Sequence, residues 1–151
     1  MDKVILKKIC SFCAYQERTQ DEARKKLSEW KVFSDEAEEI IAWLIVENFI
    51  NEERFAKIFA GGKFRIKNWG RKKIIFELKS RKLSPYCIQS GLLEISEEDY
   101  IETIDVLIKK KSDSTNESNS LIKKQKIANY LIGKGYESEL IWSRLSEIKK
   151  Q

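Results

Sequence analysis

Apolar side chains recur along the chain in a pattern that appears three times. The windows EARKKLSEWKVFSDEAEEIIAWL (22–44), KIIFELKSRKLSPYCIQSGLLEI (73–95) and KIANYLIGKGYESELIWSRLSEI (126–148) align without gaps. Six columns are apolar in all three: Ala23/Ile74/Ile127, Leu27/Leu78/Leu131, Val32/Leu83/Tyr136, Ala37/Ile88/Ile141, Ile41/Leu92/Leu145 and Leu44/Ile95/Ile148. The first two columns lie four residues apart, and the last three follow at four and three, so each set marks one helix face. Val32, Leu83 and Tyr136 fall between the faces, where an apolar side chain can plug the joint. Each window therefore predicts a helix–turn–helix pair, and the ungapped agreement marks them as copies of one unit.

Cap signals agree. Thr19-Gln20-Asp21-Glu22 is a capping box ahead of the first pair, Ser96-Glu97-Glu98-Asp99 opens a later helix, and Ser84-Pro85 sets a capping side chain before Pro at a first helical position. One further helical stretch precedes each pair, at roughly 4–18, 51–67 and 97–110. Phe55, Phe59 and Ile66 give the middle one its apolar stripe, and Gly61-Gly62 inside it predicts a kink or break. SDSTNESNS (112–120) is polar and reads as a mobile loop. With a single Pro, six Gly and little period-2 alternation, the chain reads as all-α. It comprises three tandem three-helix, helix–turn–helix-like repeats (1–48, 49–95 and 96–151), expected to form an elongated, curved stack.

Composition narrows the setting. Charged residues make up 35% of the chain and no apolar run nears the roughly 18 residues of a membrane span. MDKVILKKICSF lacks a small-residue cleavage site, so no signal peptide is expected. Cys10 and Cys13 form a C-x-x-C, but only Cys87 remains to complete a four-ligand zinc site, and no strand precedes the pair as a redox motif requires. They read as small apolar residues on a helix face. Three thiols without a secretion signal predict a reduced, cytoplasmic protein.

The charge is concentrated. Residues 1–62 hold 10 basic and 12 acidic side chains, 63–82 hold 9 and 1, and 83–151 hold 10 and 11, so the whole excess behind the net +5 lies in KFRIKNWGRKKIIFELKSRK. A local stripe of this kind suits an anionic partner. Lys63, Arg65 and Lys67 on one helix and Arg71, Lys72 and Lys73 on the next are expected to form a continuous positive surface. Lys72, Phe76 and Lys79 share a face away from Ile74 and Leu78, and Arg81 and Lys82 extend the stretch. Phe76 aligns with Lys25 and Asn129, so an aromatic stands in a column that is otherwise polar. It can contact a base, a nucleotide or a partner's surface, or pack on a neighbouring repeat. Trp69-Gly70 reads as the hinge, with Trp69, like Trp30, Trp43 and Trp142, in a packing role.

Catalytic arrangements are not apparent. The sequence has no His and none of the phosphate-binding or nucleophile-elbow glycine motifs. An enzyme is not expected.

FINEERFAKIF (49–59), KFRIKNWG (63–70) and KIIFELKSRKLSPYCI (73–88) resemble the central run of the RecX family, the bacterial regulators of the RecA recombinase. Arg54-Phe55-Ala56, Trp69-Gly70 and Ile74/Glu77-Leu78 stand where the family has R-F-A, W-G and I-x-x-E-L. The chain departs from the family at Arg81-Lys82-Leu83, where relatives often carry Gly, and at Gly61-Gly62. The resemblance implies a three-repeat, all-helical modulator without cofactor or catalysis of its own. Such proteins lodge in the groove of the RecA–single-stranded DNA filament and restrain its ATPase, strand-exchange and co-protease activities. The expected partners are thus RecA in filament form and nearby single-stranded DNA, with this chain a monomer. Two other readings stay open: a direct DNA-binding tandem helix–turn–helix protein, and an adaptor that docks through exposed apolar side chains.

Overall fold

The second and third columns are five residues apart in every repeat, an interval that belongs to a helix end. In the computed structural model, which describes residues 1–150, Val32 N–H donates to Leu27 O (2.9 Å), Leu83 N–H to Leu78 O (3.3 Å) and Tyr136 N–H to Leu131 O (3.1 Å). The residue before each, Lys31, Lys82 and Gly135, has positive φ (63°, 62° and 101°) and donates to Ser28, Lys79 and Ile132 respectively. This is the Schellman helix stop, whose usual apolar contact joins the two columns. All six side chains are buried, so the turn column caps and plugs at once.

Between these stops the described residues form nine helices and no strand. They are α1 (Lys3–Tyr15), α2 (Gln20–Glu29), α3 (Ser34–Val46), α4 (Glu52–Lys67), α5 (Arg71–Ser80), α6 (Pro85–Leu92), α7 (Glu97–Ser114), α8 (Ser120–Gly133) and α9 (Ser138–Lys150). The three expected caps are present. Thr19 Oγ1 accepts from Glu22 N–H (3.1 Å), Ser84 Oγ from Cys87 N–H (3.2 Å) and Ser96 Oγ from Asp99 N–H (3.1 Å). Five of the six columns are buried or half-buried throughout; in the last, Leu44 and Ile95 are buried but Ile148 is 36% exposed.

The chain forms two compact units, one of Met1–Phe59 with Leu78–Gly91, the other of Ala60–Glu77 with the chain from Leu92 onward. In the first, Ile9, Leu27, Ile40, Leu44 and Ile50 form a core joined by Trp30, Trp43 and Phe49. In the second, α7, α8 and α9 pack together around Tyr100, Ile104, Leu131, Tyr136 and Ile141, all fully buried. Phe64, Tyr100 and Tyr136 pack in series with tilted rings, their centroids 5.9 and 5.2 Å apart.

Three local expectations are corrected. Helix α4 runs unbroken through Gly61-Gly62, because burial of Phe55, Ala56, Ala60 and Phe64 outweighs about 1 kcal/mol of lost propensity per glycine. Its apolar stripe ends in Phe64, not in Ile66, which is 78% exposed. The helix serves two units, and Phe64 lies about half a turn around the axis from Phe55. The polar segment is also shorter than 112–120: α7 continues through Ser114 and α8 starts at Ser120. Glu117 in the link accepts from Asn119 N–H (3.1 Å) and pairs with Lys126 (3.3 Å).

Candidate partner and nucleic-acid interface

The basic stretch opens across the α4–α5 junction. Asn68, with φ 57°, ends α4, and its carbonyl accepts from Tyr136 Oη (2.9 Å). Three amides at the start of α5 are engaged: Gly70 N–H with Lys134 O (2.8 Å), Arg71 N–H with Tyr100 Oη (3.0 Å) and Lys72 N–H with Gly135 O (2.9 Å). Gly70 and Gly135 make this possible. A Cβ on Gly70 would overlap the Gly135 backbone, and one on Gly135 would stand 2.5 Å from Lys73 Cβ. The junction is thereby fastened to the α8–α9 turn of the same unit, and these three amides are not available to a ligand.

Arg71 does not lie on the outward positive surface expected of it. Its guanidinium stacks 3.8 Å from the Tyr100 ring centroid and bonds Glu137 Oε2 (3.0 Å) and Glu97 Oε2. Tyr100 Oη in turn donates to Glu137 Oε1. Burial disfavours the charged guanidinium, but the Glu137 and Glu97 hydrogen bonds outweigh it and hold Arg71 above its ordinary value. Burial, and then the bond to Glu137, push the Tyr100 phenol up. Sequence reasoning missed Tyr100, Glu97 and Glu137. They are 26 to 66 residues from Arg71, and nothing in helical periodicity links them.

Other predicted residues are also partly committed. The ammonium groups of Lys63 on α4 and Lys73 on α5 sit 5.0 and 4.7 Å from the Trp69 ring centroid. In the first unit, Arg81 lies over Phe59 (4.7 Å) and Lys82 pairs with Asp21 (3.3 Å). Arg65, Lys67, Lys72, Phe76 and Lys79 are exposed, Phe76 to 69%. The helical spacing of Lys72, Phe76 and Lys79 is realised on the unbroken α5, so Phe76 does not take the alternative of packing on a neighbouring repeat.

The first turn of α5 is electrostatically unusual. Helix N-termini favour acids by about 0.3–1 kcal/mol each, yet α5 begins Arg71-Lys72-Lys73 with no acid in its first turn. Glu97 and Glu137 compensate Arg71, and the Trp69 ring attracts Lys73. Lys72 has no ion-pair partner among the described residues, and it stands one turn before the exposed Phe76.

These features describe a tandem three-helix protein whose α5 exposes lysines and an aromatic side chain. Two family models match it: RecX, second three-helix domain, over residues 51–92, and RecX, third three-helix domain, over residues 97–145. Together they cover more than half of the chain, which belongs to the RecX family. The regulatory protein RecX of Clostridium acetobutylicum is 30% identical over 145 residues, covering 93% of this chain and 65% of that protein. RecX of Bacillus cytotoxicus is 28% identical over 141 residues, covering 93% and 52%. The chain thus spans about half the length of the Bacillus relatives it matches. The crystal structure of RecX from Lactobacillus salivarius has the same fold, with a TM-score of 0.89 at 22% identity over 97% of this chain and 96% of that one.

Proposed function

We propose that this protein binds the filament that a RecA recombinase forms on single-stranded DNA and restrains its ATP hydrolysis, strand exchange and co-protease action. In this reading it is a cytoplasmic, monomeric regulator with no reaction of its own. Family membership supports the regulatory role. The observation that carries the binding face is Lys72, retained unpaired at a helix end that favours acids and set beside the exposed Phe76. Arg65, Lys67 and Lys79 add positive charge to α4 and α5, suited to phosphates or clustered carboxylates. Arg71 supports this face by fixing the start of α5, and Lys63 and Lys73 contribute to its field while contacting Trp69, whereas Arg81 and Lys82 belong to the first unit and hold contacts there.

The test is ATP hydrolysis by a pre-formed RecA–single-stranded DNA filament, titrated with wild-type protein and with the Lys72→Ala/Phe76→Ala variant. A dose-dependent fall that needs at least tenfold more of the variant supports both the function and the face. Wild type without effect on the filament, but binding naked DNA tightly and with steep salt dependence, would favour direct DNA binding instead.

A further inference from the structure

Helix α1 carries a feature that the basic stretch does not explain. A groove of about 990 Å³ runs along its outer side, within the first unit. At 100° per residue Val4, Ser11 and Tyr15 share one stripe, with Lys3 and Lys7 on one flank and Lys8 on the other. Val4 is 64% and Tyr15 84% exposed, on a helix that buries Ile9 and Cys13 on its opposite face. Arg18 closes one end, its guanidinium 3.7 Å from the Phe12 ring centroid and its Nε donating to Phe12 O (3.0 Å). Lys8 and Lys26 reach over Trp30, at 5.6 and 5.8 Å.

The nearby acids are spent elsewhere. Asp2 accepts from the amides of Val4 (2.8 Å) and Ile5 (3.3 Å), Glu22 lies 3.9 Å from Arg18, and Glu29 pairs with Lys26 at 3.1 Å. No acid lines the groove, and Lys3, Lys7 and Lys8 have no ion-pair partner among the described residues.

We infer that this groove is a second contact for single-stranded nucleic acid, separate from α5, in which the lysines hold phosphates and Tyr15 stacks on a base. Lys3, Lys7 and Ser11 place two ammoniums and a hydroxyl at successive turns, roughly 6 Å apart along the axis. That interval is comparable with the spacing of phosphates along an extended strand. An exposed ring beside such a row is the usual platform for sequence-tolerant stacking. An acidic amphipathic helix suits the groove less well. It needs a continuous apolar groove, whereas here Ser11 separates Val4 from Tyr15, and Arg18, Lys8 and Lys26 lie over the Phe12 and Trp30 rings. The assignment rests on the reading that this chain works beside single-stranded DNA.

The experiment is fluorescence anisotropy of labelled oligothymidylate with the full chain, over a range of salt. The variants are Lys3→Ala/Lys7→Ala/Lys8→Ala, Tyr15→Ala and Lys72→Ala/Phe76→Ala, with a polyglutamate peptide as the rival probe. The lysine variant is expected to weaken binding about tenfold and to flatten the logarithmic salt slope by about 2, as loss of three phosphate contacts on a single strand requires. Tyr15→Ala should weaken binding about fivefold or more and leave the slope unchanged. Oligothymidylate affinity unchanged in both α1 variants overturns the inference, as does polyglutamate binding that those variants abolish while the oligonucleotide does not compete. The two readings fail separately. Wild type without effect on filament ATP hydrolysis, but binding oligothymidylate through α1, sinks the filament reading alone; filament inhibition with oligonucleotide binding indifferent to α1 sinks this one alone.

Discussion

Lys72→Glu should make the protein more stable and less able to bind. The side chain is exposed in the first turn of α5, where the helix dipole disfavours a cation. Removing that cation and supplying an anion each contribute about 0.3–1 kcal/mol at low ionic strength. Solvent screening at this site argues for the lower end, so the combined gain is about 0.5–1 kcal/mol. For a chain of this size that corresponds to a melting midpoint raised by roughly 1–4 °C. Urea or thermal melts in low salt measure it, and the gain should vanish near 1 M salt, where the screening length falls to about 3 Å. Filament affinity of the same variant should fall at least tenfold, because a contact cation becomes a repelling anion. A lower midpoint would show that Lys72 holds the fold together, and a higher midpoint with undiminished filament binding would remove it from the binding face. Either result refutes the reasoning.

Other expectations follow from the same geometry. Arg71→Ala leaves Glu97 and Glu137 without their common partner and should cost about 2–3 kcal/mol in urea unfolding, with Arg71→Lys recovering only part because a point charge does not reproduce the fork. Lys82→Gly should stabilise by about 0.5–1 kcal/mol, since Lys82 sits at φ 62° in a helix stop that favours glycine and its side chain, though paired with Asp21, is 75% exposed. Burial pushes the Cys13 thiol up to about 11 from 9.0, aided by Cys10, and burial raises the Tyr100 and Tyr136 phenols as well. In each case the folded chain holds its proton more tightly than the unfolded chain. Their contribution to stability is therefore complete below about pH 9 and lost as pH rises through about 11 and beyond, a fall that denaturant midpoints against pH will show.

Much of the fold can be read directly from the sequence because the repeat encodes it locally. The four-residue and three-residue spacings name the helix faces, and the five-residue step from Leu78 to Leu83 is the signature of the Schellman stop. What was hidden depends on partners distant in the chain. Ile66 and Phe64 are both apolar and two residues apart, and only the packing of Phe64 on Tyr100 decides between them. The basic residues were visible as a group, yet their roles were not. Arg71 and Lys72 are adjacent cations in sequence, but Glu97 and Glu137 arrive from α7 and the start of α9 to engage one and leave the other. The α1 groove escaped notice because its lysines are balanced, within residues 1–62, by acids that lie elsewhere in the first unit.

The central claim is that the target is a filament and not DNA alone. The most direct test compares the affinity of the wild-type chain for a RecA–single-stranded DNA filament with its affinity for the same DNA without RecA, at one physiological salt concentration. The account predicts at least tenfold tighter binding to the filament, with that preference reduced by Lys72→Ala/Phe76→Ala. Equal affinities, lost in parallel when the same two residues are changed, would contradict it and make the protein a DNA-binding one.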